Sequence, residues 1–122
     1  TQAGFLYLDD VMAGCSVDGL ILEYGVLGIW ESKSPNSETH FAYVLDGVLP
    51  DEYRAQVIHN MWVTGAQFAW FTSYDPRMPK GLQTMHTRIE RDDREISLHE
   101  AAVYQFLMET AALAPRVQLL LE

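Results

Sequence analysis

Cysteine is nearly absent from this chain. A single residue, Cys15, among 122 excludes an internal disulfide and any zinc site built from several thiolates, and it favours a reducing compartment. Long apolar runs are absent too: nothing approaches the roughly 20 residues that a membrane-spanning helix needs. No secretory signal pattern opens the chain. Positive charge is scarce. Eight Lys and Arg stand against 17 Asp and Glu, a formal net charge of −9, the reverse of the basic face common in nucleic-acid binders. Taken alone, this balance argues against a nucleic-acid binder, and any DNA contact must be local and metal-assisted or supplied by further sequence or other subunits. It leaves room for an enzyme that uses carboxylates to hold a cation and meets DNA locally. Repeats, low-complexity tracts and linkers are also missing, so the 122 residues fit one compact domain.

What is present is enough apolar material for a core, at 48% of residues, which argues against wholesale disorder. The opening "TQAGFLYLDD" lacks Met and enters a strand-like segment almost at once, so it reads as the start of a fragment. "GFLYL" (4–8) is a short strand and "DDVMAGCSVDG" a loop bracketed by Gly14 and Gly19. "LILEY" (20–24) and "LGIWESK" (27–33) form a hairpin through Gly25, ended by Pro35. "NSET" is a cap-like cluster before a short helix, "HFAYVLDG", closed by Gly47. A second helix starts at Pro50-Asp51-Glu52, with acids at the positive end of its dipole, and stops at Gly65. Tyr53, Val57 and Met61 make its apolar stripe, with Gln56 and Asn60 beside it. "QFAWFTSY" (67–74) and "LQTMHTRIE" (82–90) are further strands, separated by a turn, and "RDDRE" is a solvated charge run. Ser97 with Glu100 makes a capping box for a last helix that Pro115 ends or kinks. Strands, helix, strands, helix give an α/β or α+β class with a mixed central β-sheet flanked by helices.

The chemistry lies in "GIWESKSP" (28–35). In a strand, alternate side chains share a face, so Glu31 and Lys33 project together with Ile29, and Trp30 and Ser32 take the other side. Asp18 sits at the entry of the preceding strand. If the hairpin turns at Gly25, Asp18, Glu31 and Lys33 converge at one end of the sheet. Two carboxylates suit a hard divalent ion such as Mg²⁺, which activates water and polarises a phosphoryl oxygen. An adjacent ammonium orients that water and offsets growing negative charge. The residue between them, Ser32, offers its backbone carbonyl as a further ligand. On spacing alone the motif is common, and its plain alternative is an exposed ion pair worth under about 1 kcal/mol.

The order of several blocks adds context. "GCSVDGLI", "ESKSP", "TH" at 39–40, "EYRAQVIHNMWVTG" and "WFTSYDPRMP" together resemble the phage-type alkaline exonucleases, the YqaJ-like and lambda-exonuclease-like branch of the PD-(D/E)XK nucleases, from about residue 4 to 95. The resemblance implies a restriction-endonuclease-like core that hydrolyses linear double-stranded DNA 5′→3′ with Mg²⁺ or Mn²⁺. It implies a homotrimer that threads DNA, works with a single-strand annealing protein in recombination, and acts in the cytoplasm of a bacterial host, encoded by a phage or prophage. By the same resemblance Asp18 and Glu31 are metal ligands, Lys33 is the catalytic lysine, Gln56 is the supporting glutamine and Tyr53 its partner on the "Y-x-x-Q" helix. Ser16 lies where a serine meets the 5′-phosphate. Val17 replaces the family's usual proline and Ser34 its usual cysteine, and neither position carries side-chain chemistry. Residues 1–122 then form a single catalytic core without the family's N-terminal helical region. The rivals are a structure-specific endonuclease on the same fold and a catalytically silent DNA-binding or assembly module.

Further assignments come from single residues. Thr39 and His40, just beyond the active strand, and Arg77, in the "YDPR" turn, are candidate DNA contacts. The histidines His40, His59, His86 and His99 have no metal-ligand spacing. Trp62 and Trp70 sit in apolar runs and read as core.

Overall fold

A computed structural model describes residues 4–8 and 11–122; Asp9 and Asp10, part of the first expected loop, lie outside the described residues. The elements run β1 (Phe5–Tyr7), β2 (Gly14–Ser16), β3 (Gly19–Glu23), β4 (Val26–Lys33), α1 (Ser37–Asp46), α2 (Asp51–Thr64), β5 (Phe68–Tyr74), β6 (Thr84–Glu90) and α3 (Asp93–Leu121). They divide into two compact units, residues 1–91 and residues 92–122.

The first unit is built on a four-stranded sheet of order β3-β4-β5-β6. β3 and β4 are antiparallel, β4 and β5 parallel, and β5 and β6 antiparallel. The expected mixed central sheet is therefore present. Glu23 pairs with Val26 across a two-residue turn. Tyr24 and Gly25 both have positive φ, 51° and 78°, the type I′ geometry that matches strand twist. This turn fixes the register in which Gly19 faces Trp30.

The parallel β4–β5 pair needs a long crossover, and α1 with α2 supplies it. α1 rests on β5 and β6, and α2 on β4, β5 and the β1–β2 pair. The sheet face beneath them carries Ile29, Ala69, Phe71, Met85 and Ile89, all buried, and the helices add Tyr43, Val57, Ile58 and Met61. Gly47 and Gly65 end the two helices in the left-handed region, each donating its N–H back to the carbonyl four residues earlier. Arg91 secures the corner after α2: its guanidinium donates to the carbonyls of Met61 and Ala66, at 3.0 and 2.9 Å.

Three expectations are corrected. The "GCS" segment belongs to a strand, β2, paired with β1, where the glycines suggested loop. The last helix starts at Asp93, not after Ser97. Asp92 is its N-cap, accepting from the N–H groups of Arg94 and Glu95, because an aspartate is at least as good a cap as serine. Pro115 does not end this helix, which continues to Leu121; the ring removes one N–H without stopping the run. α3 exposes Leu98, Phe106, Met108, Leu119, Leu120 and Leu121. Among the described residues no helix is long and apolar enough to cross a membrane.

Candidate active site

The site forms where β3 begins and β4 ends. Asp18 precedes β3 by one residue, and its Oδ2 accepts the backbone N–H of Ser32 at 2.7 Å. That bond ties the loop to the far end of β4 and brings the Asp18 carboxylate beside Glu31. Glu31 is 3% exposed. It sits on the helix-covered face with Ile29, as strand alternation requires, so it is not half of a solvated surface pair.

Burial pushes the Glu31 carboxyl above its ordinary value, and the negative charge of Asp18 pushes it further. A hydrogen bond from Asn60 Nδ2 to Glu31 Oε1, at 2.7 Å, and the charge of Lys33 act the other way. Cys15 lies within reach of the same field: burial first, then Glu31, raises its thiol, which keeps it protonated and inert. Lys33, half-buried at the end of β4, holds its Nζ 5.1 Å from the centre of the Tyr53 ring. Tyr53 in turn stacks on Phe71 at 5.2 Å and meets Tyr43 edge-on at 6.2 Å. Phe71 pairs with Glu31 in the sheet. An aromatic column thus supports the lysine from below, a cation–π arrangement.

The other candidates are placed as follows. Gln56 is exposed on α2, one turn before Asn60. Ser16 is the exposed last residue of β2, two residues before Asp18. Thr39 is half-buried in the first turn of α1, where its N–H donates to the Asn36 cap at 2.9 Å. Arg77 has a side chain 64% exposed. Its Nε donates to Asp75 Oδ1 at 2.8 Å and its terminal nitrogen to the Pro35 carbonyl at 3.2 Å. Asp75 is fully buried; bonds from Ser37 and Arg77 hold its carboxyl down to about 2. Pro35 and Asp75 each lie two residues beyond a paired couple, Lys33 and Ser73, so Arg77 is braced at the same end of the sheet as the lysine.

His40 is a correction. It is wholly buried, with Nδ1 2.8 Å from Ser73 Oγ and Nε2 2.8 Å from the Leu82 carbonyl. A ring so enclosed has no surface to offer DNA; it joins α1 to β5 and the β6 approach. His59 and His86 are also engaged, with the Gly14 carbonyl and Thr72 respectively. Trp62 is buried as expected, whereas Trp70 is only half-buried and donates to Glu23. Asn60 is the residue that sequence reasoning left out. Its signal was a polar side chain next to the Val57–Met61 stripe, one turn from Gln56, in a helix otherwise apolar on that side.

The profile of the YqaJ-like viral recombinase domain matches residues 1–67. A solved structure of LHK-Exo in complex with dAMP is 37% identical to this chain, with a TM-score of 0.89, covering 97% of this chain and 60% of that one. A second structure, of the alkaline exonuclease LHK-Exo from Laribacter hongkongensis, is 36% identical over the same shares with the same TM-score. The chain therefore spans 60% of the length of the solved relative it matches. No curated protein sequence matches it. The profile covers more than half of the chain and the fold agrees with the solved relative, so the chain belongs to the YqaJ-like viral recombinase domain family.

Proposed function

We propose that this chain is the core of a divalent-metal-dependent deoxyribonuclease that degrades linear double-stranded DNA from its ends, 5′→3′, in phage-type recombination. The observation that carries the reading is the placing of Asp18, whose Oδ2 accepts the Ser32 N–H, beside a buried Glu31 with Lys33 on the same strand face. Such a pair is costly unless something positive completes it.

The donor set fits Mg²⁺ or Mn²⁺. Carboxylate and carbonyl oxygens are what hard ions take. Asn60 occupies only one Glu31 oxygen, and the mutual repulsion of Asp18 and Glu31 is what a cation between them relieves. The Ser32 carbonyl and water complete the set. When bound, the ion supplies polarisation of a phosphoryl oxygen and acidity for an attacking water. Asp18 and Glu31 hold the ion, and Lys33 orients the water and offsets charge that grows on the phosphate. Tyr53 keeps the Lys33 ammonium over its ring, and Gln56, one turn from Asn60, supports the same edge. Ser16, Thr39 and Arg77 meet the DNA backbone, with Ser16 near a 5′-phosphate. LHK-Exo was solved in complex with dAMP, and a deoxynucleoside monophosphate is what stepwise hydrolysis of DNA releases. A homotrimer, a single-strand annealing partner and a place in the cytoplasm of a bacterial host complete the proposal.

The test compares a linear 5′-phosphorylated duplex with the same duplex closed into a covalent circle, in Mg²⁺. Mononucleotides released from the line alone are the expected result. Nicking or linearisation of the circle would favour the endonuclease on the same fold, and an untouched line would favour the silent module.

A further inference from the structure

Glu31 has one direct side-chain partner whose chemistry bears on how it holds a cation. Asn60 and Glu31 are each 3% exposed, and the amide Nδ2 donates to Oε1 at 2.7 Å. Asn60 stands between Val57 and Met61, which are 1% and 0% exposed. Its backbone is fixed from both sides of the chain end: Thr64 Oγ1 donates to the Asn60 carbonyl at 2.7 Å, and Arg91 holds the next carbonyl, that of Met61. The amide therefore approaches Glu31 from a rigid base.

We propose that Asn60 is a positioning residue for metal binding: its amide fixes the Glu31 carboxylate by one oxygen and leaves the other oxygen, with the full negative charge, for a divalent cation. The inference rests on the metal-dependent reading above. The choice of residue type supports it. A buried carboxylate would be satisfied equally well by lysine or arginine, but an ion pair would cancel the charge that attracts the cation. An amide donates without charge, so it orients and leaves the charge available. Partners of this kind, one bond removed from a metal, commonly change affinity by about 10- to 100-fold when removed.

Mn²⁺ alone is the probe. Its binding is titrated by the loss of free-ion paramagnetic signal, for this chain and for Glu31→Gln, Asn60→Leu and Asn60→Ala. Each variant is checked for a cooperative thermal transition, and Asn60→Ala carries the test if the larger leucine prevents folding. The expected result is binding that Glu31→Gln abolishes and that removal of the Asn60 amide weakens by about tenfold or more. Duplex cleavage by the Asn60 variants should then recover as Mn²⁺ is raised, with the KM for DNA unchanged, a rescue that a merely structural lesion would not give. Affinity within about twofold in folded Asn60 variants, while Glu31→Gln still abolishes binding, would overturn this inference and leave the metal site standing. No binding by the unsubstituted chain, or binding indifferent to Glu31→Gln, would overturn the metal reading and this inference with it.

Discussion

Glu31 shows what it costs the fold to bury a carboxylate beside another. Its carboxyl is raised, by burial first and by Asp18 second, so the folded chain takes up a proton more readily than the unfolded one. Stability is then lost as pH rises through the raised value, and the cost stays in place above it. Glutamine keeps an acceptor for Asn60 and removes the charge. In metal-free solution at pH 8, Glu31→Gln should melt above the unsubstituted chain, and the gap should close as pH falls below the ordinary carboxylate range. Thermal melts in EDTA across that range check this; an equal or lower melting temperature at pH 8 would contradict it. Of the site residues, Asp18, Glu31 and Lys33 were legible in the sequence because strand alternation and one hairpin turn bring them together. His40 and Asn60 were not. Their environments depend on how α1 and α2 come to rest on the sheet, and neither spacing nor residue type reveals that His40 would be sealed against Ser73 and Leu82.

Elements were readable wherever local chemistry decides them. The turn at Gly25, the Gly47 and Gly65 stops and the β4 and β5 strands follow from glycine's tolerance of positive φ and from β-rich apolar runs; that Tyr24 leaves the strand to share the turn was not legible. Misreadings arose where two local signals competed. Asp92 and Ser97 both make good caps, and the chain uses the earlier one. β2 owes its existence to pairing with β1, which no local pattern encodes. Element packing also makes a demand at Gly28 in the middle of β4. A Cβ there would lie 2.1 Å from the Phe68 ring on the adjacent strand. Gly28→Ala should cost about 1–3 kcal/mol, the usual range for overpacking a filled site. Urea unfolding monitored by tryptophan fluorescence reads this as a lower midpoint with an unchanged slope. A midpoint equal to that of the unsubstituted chain would mean that Phe68 moves aside freely.

At the scale of the whole molecule, a net charge of −9 sets the terms on which the proposed nuclease would meet DNA. In the proposed reading, attraction to phosphate comes from a bound cation, from a few placed groups such as Lys33 and the braced Arg77, or from other subunits. The sequence displayed that requirement in its charge balance and its E-S-K strand. The depth at which Glu31 is buried, and the aromatic column under Lys33, became visible only with the fold. The central claim is that Asp18, Glu31 and Lys33 form one hydrolytic unit. It is tested most directly by digesting a linear 5′-phosphorylated duplex with and without Mg²⁺, using this chain and Lys33→Ala. The account predicts Mg²⁺-dependent loss of duplex from the 5′ ends, reduced at least about 100-fold by the substitution. Digestion that persists unchanged in folded Lys33→Ala, or that needs no divalent ion, would contradict it.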